Sequence, residues 1–452
     1  MTAAKVANDA RPWGAYVHFP WCLKKCPYCD FLSIPVEPQR LTSPGSSPRR
    51  LPRAPLDAPS ARQVLPHEAY ADAVLWELEA RLPGLNLTTR PASIFFGGGT
   101  PSLWAPEQLG RVVTALSRGG PPRNPAPGAA RGATETAAPP PETPALEAPP
   151  LEVTVECNPT SFDEEHARRL VDVGVNRISL GVQSLDPERL EFLGRLHDPE
   201  GALQAIAAAR RAGVPRVSAD LIFGVAGQTP EQAAAEVRRL AATGVTHLSA
   251  YALTIESNTH FGTLARRGQL PLLDEGLVAE SFRAVDEALE AEGFLHYEIS
   301  NYAREEHFAL HNLGYWRGHD YLGLGTGAWG TVRLGGGSRL RYRNTPSVER
   351  YLESWTGQSS ADPYAEGRHL ADREPIDPET ELRERLLLGL RLRDGLDTAQ
   401  AEAEVGVELW SPRRRRARDK LLRSGRLAWD GVRLWIPPDQ WLFADGIIAD
   451  LL

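Results

Sequence analysis

The chain has 452 residues with 50 Lys+Arg against 58 Asp+Glu, and its formal charge of −8 argues against a broadly basic nucleic-acid-binding surface. Hydrophobic residues at 42% and charged residues at 24% are the proportions of an ordinary globular protein, which excludes disorder of the whole chain. Four cysteines are too few for a disulfide framework, and three of them, Cys22, Cys26 and Cys29, fall within eight residues.

From the N-terminus, residues 1–12 read as a polar tail without the apolar stretch of a signal peptide, and no run of 18 apolar residues follows anywhere. A cytoplasmic protein with reduced thiols is therefore expected. Strands are predicted over 15–19, 93–96, 152–156, 177–182, 216–223, 247–253 and 296–299. Amphipathic helices are predicted between them, over 67–81, 106–116, 162–173, 199–212, 230–243 and 275–292. This alternation is the mark of parallel β/α units, so the fold class is α/β, a partial (β/α) barrel over 13–330. Two Pro-rich inserts, 35–66 and 117–150, have almost no large apolar residues and are expected to be disordered. Residues 331–373 read as a connecting segment. From 374 to 452 two helices precede a hairpin turning at Asp430-Gly431, a small winged-helix-like domain. Its Arg413 to Arg416 run reads as a solvated helix face, and no nucleic-acid partner is expected.

The motifs fall at the C-terminal ends of the predicted strands, where barrels of this kind gather their functional groups. The first is the loop Cys22-Leu-Lys-Lys-Cys26-Pro-Tyr-Cys29. Zinc sites pair cysteines as CxxC with a second pair elsewhere, whereas this triplet stands alone. Three thiolates suit a [4Fe-4S] cluster with one iron left open to chelate a ligand. Cys157 reads as a small buried apolar residue, because a fourth protein ligand would close that iron. Gly97-Gly98-Gly99-Thr100-Pro101 follows the second strand and lets a ligand approach the backbone closely. Glu156, Gln183, Arg195 and Asp220 are polar residues at or near strand ends, suited either to a ligand site or to a buried structural network.

CxxxCxxC on the loop after a first barrel strand resembles the radical-SAM superfamily. The phrases YVHFPWC, FFGGGTPSL, NRISLGVQSLD, LGRLHD, DLIFGVAGQT, YEISNYAR, HNLGYWRGHDYLGLGTGAWG and ERLLLGLRLRDGLD are together similar to oxygen-independent coproporphyrinogen III oxidases and their relatives, the HemW-type heme chaperones. The resemblance covers the chain apart from the tail and the inserts. It implies Cys22, Cys26 and Cys29 as cluster ligands, and Tyr16, Tyr28, Gly98, Gly99, Thr100 and Glu156 as contacts of S-adenosylmethionine. Gln183, Arg195 and Asp220 match further nucleoside-binding or second-molecule positions. Oxidase-type members resemble CxxxCxxCxC and carry a longer N-terminal segment. Here Phe31 stands at the extra cysteine's position and 21 residues precede Cys22, so both differences point to the chaperone branch. The function implied is binding heme and delivering it to hemoproteins, among them membrane respiratory enzymes met at the membrane surface, with a homodimer as the expected assembly. Radical oxidative decarboxylation of coproporphyrinogen III is the alternative. HNLGYW makes His311 the first heme-ligand candidate, with His319 and His18 as others, against an ordinary core histidine.

Overall fold

The structure, a computed structural model, describes residues 11–36, 62, 64–85, 87, 89–118, 150–356, 362–365, 367 and 369–452. Most of the expected N-terminal tail and of both Pro-rich inserts (1–10, 37–61 and 119–149) lies outside the described residues.

Twelve strands form one open sheet: β1 Trp13–Phe19, β2 Ser93–Gly98, β3 Glu152–Cys157, β4 Arg177–Gln183, β5 Arg216–Phe223, β6 His247–Ala252, β7 Leu295–Glu298, β8 Asn301–Ala303, β9 Asp320–Leu324, β10 Trp329–Arg333, β11 Arg339–Asn344 and β12 Leu370–Ile376. Their order is β12-β11-β10-β9-β1-β2-β3-β4-β5-β6-β8-β7. Neighbours from β9 through β6 pair in parallel, which makes the partial barrel.

Side chains alternate along each strand, and the two faces differ sharply. Val17, Phe96, Val155, Ile178, Leu180, Val217, Ala219 and Leu221 point outward and are buried under the helices as the main core. The opposite face carries Tyr16, His18, Glu156, Ser179 and Asp220 in the lumen. Barrels with no ligand to hold fill this space with branched apolar residues. The helices begin where the sequence marks them. Asp163, Asp186, Asp198 and Thr229 each cap a helix with a side-chain oxygen, and the last three are followed by proline at the first helical position.

Two expectations change. The seventh predicted strand, 296–299, is observed as β7 and does not join the parallel array; it pairs antiparallel with β8, which pairs antiparallel with β6. The seventh parallel strand is β9, from the glycine-rich DYLGLGTG stretch, and it lies beside β1. Residues 331–373, expected as a connector, hold β11 and parts of β10 and β12, which extend the same sheet antiparallel beyond β9.

The C-terminal helices Pro378–Gly389, Thr398–Val405 and Pro412–Arg423 enclose a second core of Leu382, Leu386, Leu421, Leu434 and Ile447. With them goes a three-stranded sheet of β13 Leu396–Asp397, β14 Ala428–Trp429 and β15 Arg433–Trp435, in the order β13-β15-β14, whose hairpin turns at Asp430-Gly431. In the basic run, Arg414 is buried on Glu379 and Arg415 pairs with Glu408, so two of its four charges are neutralised within the domain.

Candidate functional site

β1 delivers the chain to the rim of the barrel, and the cysteine loop follows. A short parallel bridge, Trp21–Cys22 with Ile34–Pro35, closes the loop on itself. All three thiols are free, and each has a hydrogen-bond partner of its own. Thr100 Oγ1 donates to Cys22 Sγ at 3.3 Å from the turn after β2. Arg195 Nη1 donates to Cys26 Sγ at 3.5 Å from beyond β4. Ser33 Oγ lies 3.9 Å from Cys29 Sγ. Burial pushes the Cys22 thiol up to about 12 and raises Cys29 as well, so metal binding here would have to displace protons. Three thiolates with donors from separate elements fit a cluster that takes one thiolate per iron, and such donors tune its potential. Among the described residues no three His, Cys, Asp or Glu side chains surround a point as ligands of a single ion would. Cys157 is buried apart from the loop, with its thiol turned to its own strand at Val155 O, 3.7 Å away.

The glycine turn is the wall beside the cysteine loop. A side chain at Gly99 would sit 2.6 Å from Trp21 O, so only glycine lets this strand end pass the cysteine loop. Gly98 has φ +109°, and a Cβ there would strike the His18 ring at 2.4 Å. Its N–H donates to Glu156 Oε2 at 3.1 Å. Tyr16 and Glu156 both flank Gly97, and Tyr16 Oη lies 2.9 Å from His18 Nδ1. His18 Nε2 is held by Leu32 O at 2.8 Å, which ties the lumen to the cysteine loop.

The opposite wall comes from β4 and β5. Gln183 has φ +67° at an irregular register between β4 and β5, a backbone strain of the kind concentrated at binding sites. Arg195 Nη2 donates to Gly181 O at 2.7 Å, and its charge acts on the nearby Tyr28 hydroxyl. Tyr28 packs on Phe261 with ring centroids 6.5 Å apart. Asp220 accepts Ser179 Oγ at 3.1 Å. The cluster-loop and S-adenosylmethionine candidates named from sequence thus meet at one rim. Sequence reasoning missed Ser33, Ser179 and the orienting role of His18. The signal was there in part: VSADLIF and RISLGVQ alternate polar and apolar, a pattern that a parallel strand buried in apolar surroundings on both faces does not show.

His311 lies elsewhere. The helix Leu310–Trp316 plugs the N-terminal end of the barrel, where His311 Nδ1 meets Ser93 Oγ and Nε2 meets Tyr315 Oη, both at 2.9 Å. Its ring stacks on Phe95, and burial lowers its pKa to about 3. Both nitrogens of His18 are engaged too. Of the two readings of His311, this arrangement has the geometry of the core histidine, with both ring nitrogens occupied. His319 has neither ring nitrogen in a hydrogen bond among the described residues, and burial keeps it neutral by lowering its pKa to about 4.

Burial and the neighbouring Asp220 push Glu156 up to about 7 from 4.5, and burial raises Asp220 in the same direction. A carboxyl raised in the folded state binds more protons folded than unfolded, so its contribution to stability falls as pH rises from about 4.5 to about 7. E156Q is expected to flatten that fall and to raise the melting temperature of ligand-free protein above pH 7. An unchanged pH profile of melting would contradict this electrostatic picture.

An open parallel barrel with a CxxxCxxC loop and a glycine wall at its C-terminal rim defines a radical-SAM type of protein. The Radical SAM superfamily profile matches residues 16–240, and the HemN C-terminal domain profile matches residues 376–443. The heme chaperone HemW of Mycobacterium tuberculosis is 31% identical over 98% of this chain and 95% of that protein. The HemW of Escherichia coli is 34% identical over 76% of this chain and 78% of its own length. The mitochondrial radical S-adenosyl methionine domain-containing protein 1 of Danio rerio is 30% identical over 88% of this chain and 76% of that protein. Among solved structures, coproporphyrinogen III oxidase (HemN) from Escherichia coli superposes with a TM-score of 0.68 over 98% of this chain and 90% of that chain; at 19% identity it shares the fold. The chain belongs to the HemW family of radical SAM proteins.

Proposed function

We propose that this chain binds heme and delivers it to hemoproteins as a chaperone of the HemW type, and that it carries a [4Fe-4S] cluster and S-adenosylmethionine. The observation that carries the reading is the near full-length similarity to HemW proteins, 31% identity over 98% of the chain. Phe31, 59% exposed at the position of the oxidase's extra cysteine, supports the chaperone over the oxidase. The finer reading is a homodimer, cytoplasmic, that meets membrane respiratory enzymes at the membrane surface. Among the described residues no helix is long and apolar enough to cross a membrane.

Cys22, Cys26 and Cys29 are the proposed cluster ligands. Tyr16, Tyr28, Gly98, Gly99, Thr100, Glu156, Gln183, Arg195 and Asp220 are the proposed S-adenosylmethionine contacts. When bound, the cluster and S-adenosylmethionine together supply one-electron chemistry at the sulfonium. The chain's part is to hold and orient. The glycine turn offers backbone groups to the amino-acid end, Glu156 offers a carboxyl whose charge is set by burial, and Arg195 links Cys26 to the end of β4 at Gly181 O.

The test is anaerobic reconstitution followed by two assays, heme titration by absorbance and coproporphyrinogen III conversion with a reductant. Stoichiometric heme uptake that survives Cys22→Ala, with no conversion, is the expected result. Conversion at a catalytic rate overturns the chaperone reading.

A further inference from the structure

The antiparallel extension β10–β11 adds a wall to the lumen that the barrel strands alone lack. Tyr321, Thr331 and Arg341 form one cross-strand row on it, and Trp329 opposite Arg343 forms the next row toward the cysteine loop. The turn Gly325–Ala328, which leads into Trp329, touches the loop directly. A Cβ at Gly327 would meet Leu32 Cδ2 at 2.2 Å, and one at Gly325 would meet His18 O at 2.4 Å.

The arginines of β10 and β11 on this face are matched, with one exception. Arg339 pairs with Glu381 at 3.2 Å, Arg341 with Glu374 at 2.8 Å and with Glu384, and Arg333 with Glu381. Arg343 has no ion pair or hydrogen bond among the described residues, and its Nε is buried without a partner. Its guanidinium carbon lies 5.5 Å from the centre of the Trp329 ring, and its charge reaches His18. Trp329 is itself 39% exposed. Arg343 is half-buried, with its Nε shut away from water and its charge without a counter-ion on a face where the neighbouring arginines have theirs, and a carboxylate bound there would take both roles. An exposed indole beside it supplies a flat apolar face.

Resting on the heme reading above, we propose that Arg343 and Trp329 form the arm that grips the carboxylate edge of a planar macrocycle, the guanidinium on a propionate and the indole against the ring. This places the cargo at the cysteine-loop rim of the barrel, away from the plugged end that holds His311.

Heme and its propionate dimethyl ester titrated into the reconstituted full chain test this, in wild type, R343Q and R343K. Wild type is expected to prefer the free acid, R343Q to bind heme about tenfold more weakly with no preference over the ester, and R343K to regain part of it. R343Q that keeps the wild-type preference, or wild type that takes both forms equally, overturns the Arg343 assignment and leaves the heme reading standing. Loss of S-adenosylmethionine affinity in R343Q with heme affinity intact assigns the arm to that carboxylate instead and also overturns the proposal. Wild type that takes up neither form overturns the heme reading and the arm with it.

Discussion

Alanine in place of Cys26 is expected to abolish cluster assembly, leaving reconstituted protein without the iron–sulfur charge-transfer absorbance and with iron and sulfide near background. Two thiolates would leave two of the four irons without a protein ligand, and Cys157 cannot substitute, because it is buried facing its own strand. The variant also frees Arg195, whose Nη1 loses the sulfur 3.5 Å away while Nη2 keeps its bond to Gly181 O. The barrel itself should survive, since the cysteine loop lies at the rim, outside the apolar layer beneath the helices. Full cluster content in Cys26→Ala, measured by iron and sulfide analysis, would sink the proposed ligand set.

Glu77→Ala is expected to cost about 3–5 kcal/mol, because it strands a buried arginine. Glu77 and Arg81 are both fully buried on the helix His67–Arg81, with Arg81 Nε 2.9 Å from Glu77 Oε1. Glu77 also accepts Gly325 N at 2.9 Å, Tyr351 Oη at 2.6 Å and Asn344 Nδ2 at 2.7 Å. Arg81 lies over the Tyr342 ring at 4.1 Å. This one carboxylate therefore fastens the first long helix to the turn after β9 and to the end of β11, the same turn that leads into Trp329. Urea unfolding followed by tryptophan fluorescence checks it, and a shift of under about 1 kcal/mol would show the network to be idle. A site effect should accompany the loss of stability, as weaker heme binding in the folded fraction.

The two substitutions differ in how far the sequence announces them. Cys26 is legible because its chemistry is local, with three thiols within eight residues and a loop placed by the strand before it. Glu77 and Arg81, spaced i,i+4 on one helix, carry no local mark of burial. They are buried because their partners Gly325, Asn344 and Tyr351 arrive from more than 240 residues away. His311 shows the same limit from the other side. The HNLGYW phrase announces a histidine among aromatics, but Ser93 and Tyr315 decide whether its nitrogens are open.

The sequence by itself determined most elements of the parallel array and their chemistry. Alternating apolar and polar residues set the strands and their lumen face, Asp-Pro and Thr-Pro pairs set three of the helix starts, and the cysteine spacing set the kind of metal centre. These are properties of neighbours along the chain, with periods of a few residues. Only the tertiary structure decided that β9 lies beside β1, that β7 leaves the parallel array, and that β10 to β12 continue the sheet. Strand pairing depends on register between segments as much as 300 residues apart, and no local pattern encodes which partner wins. For the same reason, Arg343 stands apart only once the other described arginines on that face of β10 and β11 have found their carboxylates.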